Sequence, residues 1–144
     1  ADPLAPEAVD RLGATARELL TWTSARPGAV ACDLHPDYAS TLLAESFAQE
    51  LGVPIVRVQH HAAHLAAVAA EHGIGGTLFG FAWDGLGLGD DRTLWGGEAL
   101  RLDGGSAQRV ARVRPFPLPG GEAAVREPRR AALGLLVSLG LPLD

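Results

Sequence analysis

A chain of 144 residues with 47% hydrophobic content has the make-up of one globular domain or of two pieces of a larger one, which leaves out disorder. Its 17 acidic and 12 basic residues give a net charge of −5, and no run of Lys or Arg supplies the basic stripe that nucleic-acid binding needs. A single cysteine allows no internal disulfide, no stretch approaches the roughly 20 apolar residues of a membrane span, and "ADPLAPEAVD" lacks the basic-then-apolar pattern of a signal peptide, so a cytoplasmic protein is expected.

From Pro6 to Thr23 the apolar positions Val9, Leu12, Ala16, Leu19 and Leu20 recur at helical spacing, and the helix ends before Pro27. A strand "AVACDL" follows and is punctuated by "HPDY". Leu43, Phe47 and Leu51 line one face of a second helix, stopped by Gly52 and Pro54. Then come the strand "PIVRVQ" and an alanine-rich helix opening on "HHAAH", which runs to about His72 and stops at Gly73. This strand–helix alternation predicts a parallel sheet covered by helices. Beyond Gly76, "TLFGFAWDG", "RTLWGGEALRL" and "AQRVARVRPF" read as three strands of an antiparallel or mixed meander, and "REPRRAALGLLVSLG" as a helix with Pro128 in its first turn. The glycine-rich link Gly73–Gly76 is the expected boundary, dividing residues 1–76 from 77–144. The absence of methionine, even at position 1, and the ending "SLGLPLD" give the expectation of a chain cut from a longer protein.

His60 and His64 stand four apart, a spacing that puts two imidazoles on one helical face within reach of one metal ion; His61 must point elsewhere. The competing reading is three polar residues around a helix N-terminus. Asp84 ends an apolar run, where a carboxylate is costly unless a cation or hydrogen-bond donor meets it, although Asp-Gly is also a common turn. Two imidazoles and one carboxylate suit iron(II) or zinc. Gly85, Gly87 and Gly89 remove side chains where a backbone could approach a phosphate, yet they form neither a P-loop nor a dinucleotide fingerprint, and a plain β-turn competes. Gly96 and Gly97 mark a bulge or a close contact in a strand. Asp33 and His35 lie at the C-terminal end of a parallel strand, where α/β sheets bind ligands, but Pro36 favours a simple turn. Cys32 reads as a small core hydrophobe, and Asp90 with Asp91 as a solvated turn. Nothing makes a convincing Ser-His-Asp or Cys-His arrangement.

Taken together, "CDLHPDYAST", "VQHHAAH", "AEHG", "AWDGLGLGDDRTLWGGEAL" and "FPLPGGEAAVREPRRAALGLL" resemble the hydrogenase-maturation carbamoyltransferase family HypF, from about Ala29 onward and in family order. The segment concerned is similar to the universal tRNA threonylcarbamoyl-transfer proteins. The resemblance implies an α/β fold that is part of an actin-like, ribonuclease H-like ATPase of two lobes, with residues 1–76 ending the first and 77–144 beginning the second. It implies an ATP-dependent enzyme that converts carbamoyl phosphate to carbamoyl-adenylate. That enzyme passes the carbamoyl group to the C-terminal cysteine of HypE, toward the cyanide ligands of nickel-iron hydrogenase. By the family motif, His60, His64 and Asp84 bind a divalent metal, iron or zinc, with magnesium accompanying ATP. Gly85, Gly87, Gly89, Gly96 and Gly97 lie along the nucleotide.

Two features depart from the family pattern. Ala62 stands where the family commonly has a third consecutive histidine. A further aspartate ligand and the preceding acylphosphatase, zinc-finger and adenylate-forming domains lie outside these residues. The alternatives are an O-carbamoyltransferase acting on a sugar hydroxyl and a non-catalytic metal- or nucleotide-binding module.

Overall fold

The structure, a computed structural model, describes residues 5–142. In chain order it contains α1 (Pro6–Thr23), β1 (Val30–Asp33), α2 (Ala39–Leu51), β2 (Ile55–Val58), α3 (His60–Glu71), β3 (Leu78–Leu88), β4 (Leu94–Asp103), β5 (Ser106–Arg112), α4 (Glu122–Arg126) and α5 (Pro128–Ser138).

β1 and β2 form a two-stranded parallel sheet in which Val30 lies opposite Ile55 and Asp33 opposite Val58. α2 is the crossover between them, as parallel strands require. It ends where Gly52 takes the left-handed conformation (φ 66°) and donates its N–H to the carbonyls of Ala48 and Gln49. α1 packs on α2 through Gly13, which sits against Leu43, and through an Arg17–Glu50 ion pair. Because β1 and β2 run the same way, their C-terminal ends lie side by side. That places Asp33 beside the segment that opens α3.

β3, β4 and β5 form an antiparallel meander. β3 does not stop at Asp84-Gly85, as a turn reading there requires. It continues to Leu88, with its register to β4 broken by a bulge between Trp83 and Gly87. The reversal comes later: Gly89 N–H donates to the Thr93 carbonyl, and Arg92 adopts φ 60°. Asp91 is exposed in this turn, as its sequence context suggests, and also organises it. Its carboxylate accepts from the Thr93 hydroxyl and amide and from Trp95 Nε1, and it pairs with Arg109 at 2.6 Å. These donors, the Thr93 hydroxyl foremost, hold its carboxyl far below the usual carboxylate range.

α3 follows the parallel pair in sequence, but its apolar face covers the meander. Ala62 and Leu65 meet Ala82, Trp95 and Leu100 in the buried cluster, with Leu78, Leu102 and Ala107 beside them. Small residues make this approach possible. A Cβ at Gly80 would stand 2.7 Å from Leu65 Cδ2, so only glycine lets the helix settle there. Leu100, 1% exposed, is the most buried apolar side chain of the cluster. The opposite face of β3 presents Phe79, Phe81 and Trp83 at alternate positions, 70%, 78% and 79% exposed.

Two expectations follow. Leu100→Ala leaves a cavity under α3 and lowers the free energy of unfolding by about 2–5 kcal/mol, measured by urea titration. The apolar row of Phe79, Phe81 and Trp83 drives the isolated chain to self-associate, so size-exclusion chromatography shows oligomers that a Phe81→Ser/Trp83→Ser variant disperses.

Candidate metal centre

The first turn of α3 is fixed from the strand before it. Gln59 caps the helix, its side-chain oxygen accepting from Ala62 N–H at 2.8 Å, while its amide lies 3.2 Å from the Leu88 carbonyl and 3.1 Å from His61 Nδ1. One glutamine thereby ties the helix start to β3. From this turn the three histidines diverge. His61 is fully buried against Trp95, and burial, then the neighbouring His60 charge, lowers its pKa, which makes it a neutral core residue. His60 and His64 share the other face, ring centroids 4.7 Å apart and planes perpendicular, with 3.2 Å between their Nε2 atoms.

β3 delivers Asp84 to the same point. Its Oδ2 lies 2.6 Å from His60 Nε2 and 3.4 Å from His64 Nε2, while its Oδ1 accepts from Gly85 N–H at 2.6 Å. The carboxylate follows Trp83, where the β3–β4 register breaks. The three donor atoms lie within 4.8 Å of one another.

This set fits a small divalent cation. With metal–ligand bonds of 2.0–2.1 Å, ligand atoms at the corners of a tetrahedron stand about 3.3 Å apart, close to two of the three separations. The third, His60 to Asp84 at 2.6 Å, opens by roughly 0.7 Å to reach it. Proton arithmetic points the same way. His60 Nδ1 faces Asp33 Oδ2 at 2.9 Å and its Nε2 faces Asp84, yet a neutral imidazole carries one N–H for two carboxylates. Either a second proton or a cation must satisfy the other contact. Burial alone would lower the His60 pKa, but hydrogen bonds to Asp33 and Asp84 outweigh it and raise the value overall. For Asp84, burial raises the pKa and the Gly85 amide and His60 more than compensate, leaving the carboxyl more acidic than usual.

The glycines divide by what surrounds them. Gly85 faces open space where a side chain would be. The others are close-packing positions: a Cβ at Gly87 would stand 2.7 Å from His61 Cε1, at Gly89 2.0 Å from Trp95 Nε1, at Gly96 2.9 Å from the Asp84 carbonyl, and at Gly97 2.8 Å from Val113. The amides of Gly85, Gly89 and Gly96 already donate to Asp84, Thr93 and Glu98. A groove of about 500 Å³, lined by Leu65, Phe81, Ala82 and Trp83 among others, runs along β3 beside α3 and takes in His64 and Asp84. Cys32 is half-buried beside Arg57, and burial raises its thiol pKa, consistent with a packing role.

Sequence reasoning gave Asp33 to a turn. It does accept from His35 N–H at 2.8 Å, but its second oxygen reaches His60. The available signal was its place opposite Val58, two residues before His60, on adjacent parallel strands. Glu98 was also missed: it is buried on β4 with Arg109 Nη1 3.5 Å away, and that guanidinium lies 4.1 Å over the Trp95 ring. Among the described residues, no helix is long and apolar enough to cross a membrane.

The family described as "HypF Kae1-like domain" matches residues 2–71, and the one described as "Carbamoyltransferase, Kae1-like Domain, second subdomain" matches residues 80–143. The chain is 54% identical over 115 residues to carbamoyltransferase HypF2 of Cupriavidus necator, covering 80% of this chain and 14% of that protein. It is 45% identical over 131 residues to a HypF homolog of the same organism, covering 91% and 33%. It thus spans a minor part of the curated relatives it matches. A crystal structure of full-length HypF in a phosphate- and nucleotide-bound form superposes with a TM-score of 0.80 at 36% identity, over 92% of this chain and 17% of that one. HypF of T. kodakarensis superposes with a TM-score of 0.84 at 36% identity, over 94% and 18%. Matched along both its parallel-sheet half and its meander half, the chain belongs to the HypF carbamoyltransferase family, within the Kae1-like region.

Proposed function

We propose that this chain forms the metal- and nucleotide-bearing part of an ATP-dependent carbamoyltransferase that serves nickel-iron hydrogenase maturation in the cytoplasm. The observation that carries the reading is the convergence of His60 Nε2, His64 Nε2 and Asp84 Oδ2 beside a groove. In this reading water cleaves carbamoyl phosphate to carbamate and phosphate, the carbamate oxygen bonds to the α-phosphorus of ATP with release of pyrophosphate to give carbamoyl-adenylate, and the acceptor is the C-terminal cysteine of HypE. The cysteine sulfur bonds to the carbamoyl carbon, the carbon–oxygen bond to the adenylate breaks, AMP leaves and the thiol proton is released. The HypF names of the relatives favour a protein thiol over a sugar hydroxyl as acceptor.

His60, His64 and Asp84 hold iron or zinc, and magnesium accompanies ATP. The bound cation supplies positive charge that offsets the phosphate anions. Asp84 is oriented for this by the Gly85 amide, which leaves Oδ2 turned toward the imidazoles. Gly85 has the direct part in nucleotide approach, since it alone of the five glycines borders open space; Gly87, Gly89, Gly96 and Gly97 act by letting the surrounding elements close. The lobe junction falls at Gly73–Gly76, between residues 1–76 and 77–144. The change there from a parallel pair to an antiparallel meander supports this, as does the gap between the two family matches.

Metal analysis after loading with iron(II) or zinc tests the reading. Wild-type chain retains near-stoichiometric metal, while His60→Ala, His64→Ala and Asp84→Ala each retain a small fraction with an unchanged circular dichroism spectrum. His61→Ala instead costs about 2–4 kcal/mol of stability through lost packing and leaves the ligands in place. Undiminished metal in both His60→Ala and His64→Ala would refute the ligand set. At Gly85, substitution by Ala preserves fold and metal content but weakens ATP binding about tenfold or more, read by calorimetry. Gly89→Ala, by contrast, lowers the unfolding midpoint because its methyl group overlaps Trp95.

A further inference from the structure

We infer that Asp33 is the positioning residue of the metal centre: it holds the Nδ1–H of His60 and so leaves Nε2 as a bare lone pair aimed at His64 and Asp84. The inference rests on the metal reading above and adds to it a residue from a different strand.

The holder is built before His60 arrives. Asp33 is the last residue of β1, and its side chain is 15% exposed. The hairpin-like bend that follows is tied twice, by His35 N–H donating to Asp33 Oδ1 at 2.8 Å and by Asp37 N–H donating to His35 Nδ1 at 3.2 Å. His35 also stacks on Tyr38 with ring centroids 4.2 Å apart. With Oδ1 occupied, Oδ2 is the oxygen left for His60 Nδ1, at 2.9 Å. Parallel pairing of Asp33 with Val58 sets the distance between β1 and the first turn of α3.

The chemistry of the imidazole makes this contact consequential. A neutral ring puts its one proton on either nitrogen, and a proton on Nε2 would point at Asp84 and block coordination there. Asp84 at Nε2 competes for the ring proton until a cation takes its place there; the Asp33 carboxylate holds the proton on Nδ1 and fixes the ring plane, the arrangement by which outer carboxylates orient metal-binding histidines. Among the described residues, no carboxylate is recorded on Nδ1 of His64, whose side chain is 56% exposed. The centre thus has one braced imidazole and one on a solvent-facing turn.

Two measurements on Asp33→Ala and Asp33→Asn test the role. Cobalt(II) titration followed by visible d–d absorption gives affinity, and ¹⁵N NMR of the metal-free chain at alkaline pH, with the ring neutral, gives the His60 tautomer. Asp33→Ala is expected to weaken cobalt(II) binding roughly 10–100-fold and shift His60 toward the Nε2–H tautomer. Asp33→Asn keeps its one amide oxygen on the His35 N–H and turns its NH2 toward His60 Nδ1, so it preserves the bend yet also drives His60 to the Nε2–H tautomer and weakens cobalt(II) binding. Wild-type affinity and an unchanged tautomer in Asp33→Ala overturn the inference; should that variant misfold, wild-type affinity and tautomer in Asp33→Asn do the same. If the wild-type chain takes up no cobalt(II), the metal reading itself falls, and the tautomer comparison still decides whether Asp33 orients His60.

Discussion

The structure turns on an imbalance of protons around one imidazole. His60 stands between two carboxylates, 2.9 Å from Asp33 and 2.6 Å from Asp84, with a second imidazole nitrogen 3.2 Å away. Two carboxylates and one ring proton do not balance, and leaving acceptors face to face in a partly buried site is unfavourable without an intervening proton or cation. The raised basicity of His60 is the metal-free resolution of that conflict. A divalent cation resolves it differently, by using the lone pairs that otherwise repel.

The backbone around this cluster supplies rigidity rather than charge. The N-terminus of α3 carries partial positive charge at the turn that bears His60 and His61. The carboxylate opposite them is favoured by the same field. What holds these groups in place is non-local. Parallel pairing brings Asp33 to the helix, and β3 brings Asp84 from the other side. The capping Gln59 contacts the Leu88 carbonyl, so helix and strand are linked at both ends of the glycine-rich stretch. The groove beside the cluster is mainly apolar, and His64 and Asp84 supply polar groups to it, the pattern expected of a ligand site.

Much of this was legible in the residues because the signals were local. Helical spacing located α1, Gly52 and Gly73 marked helix ends, and the four-residue interval paired His60 with His64. The unread parts depend on pairing that no local window contains. Asp84-Gly85 has turn chemistry, but its place opposite β4 keeps it extended, and the strand absorbs the irregularity as a bulge. Asp91 resembles any solvated acid until Thr93, Trp95 and Arg109 are brought round it by the hairpin. The short α4 follows two positive-φ glycines, Gly120 and Gly121, and spans only five residues, too few for a periodic signal. Asp33 shows the limit most clearly, since both its readings hold: one oxygen makes the turn and the other reaches the histidine.

The glycines carry the same lesson into the site. At Gly87 a methyl group would press on His61 Cε1 at 2.7 Å and on His60 Cβ at 3.0 Å, so the first turn of α3 lies against β3 only because that position has no side chain. Pushing the helix away by even one ångström would take His60 Nε2 out of hydrogen-bond range of Asp84. Packing and chemistry are therefore not competing explanations of this stretch. A glycine that never touches a ligand still sets the distance between the groups that do, and at Gly96 the same holds for the backbone of Asp84 itself, whose carbonyl lies 2.9 Å from where a Cβ would be. Gly80 and Gly87 of β3, with Gly96 of β4, are thus a steric condition for assembling two imidazoles and a carboxylate from a helix and a strand.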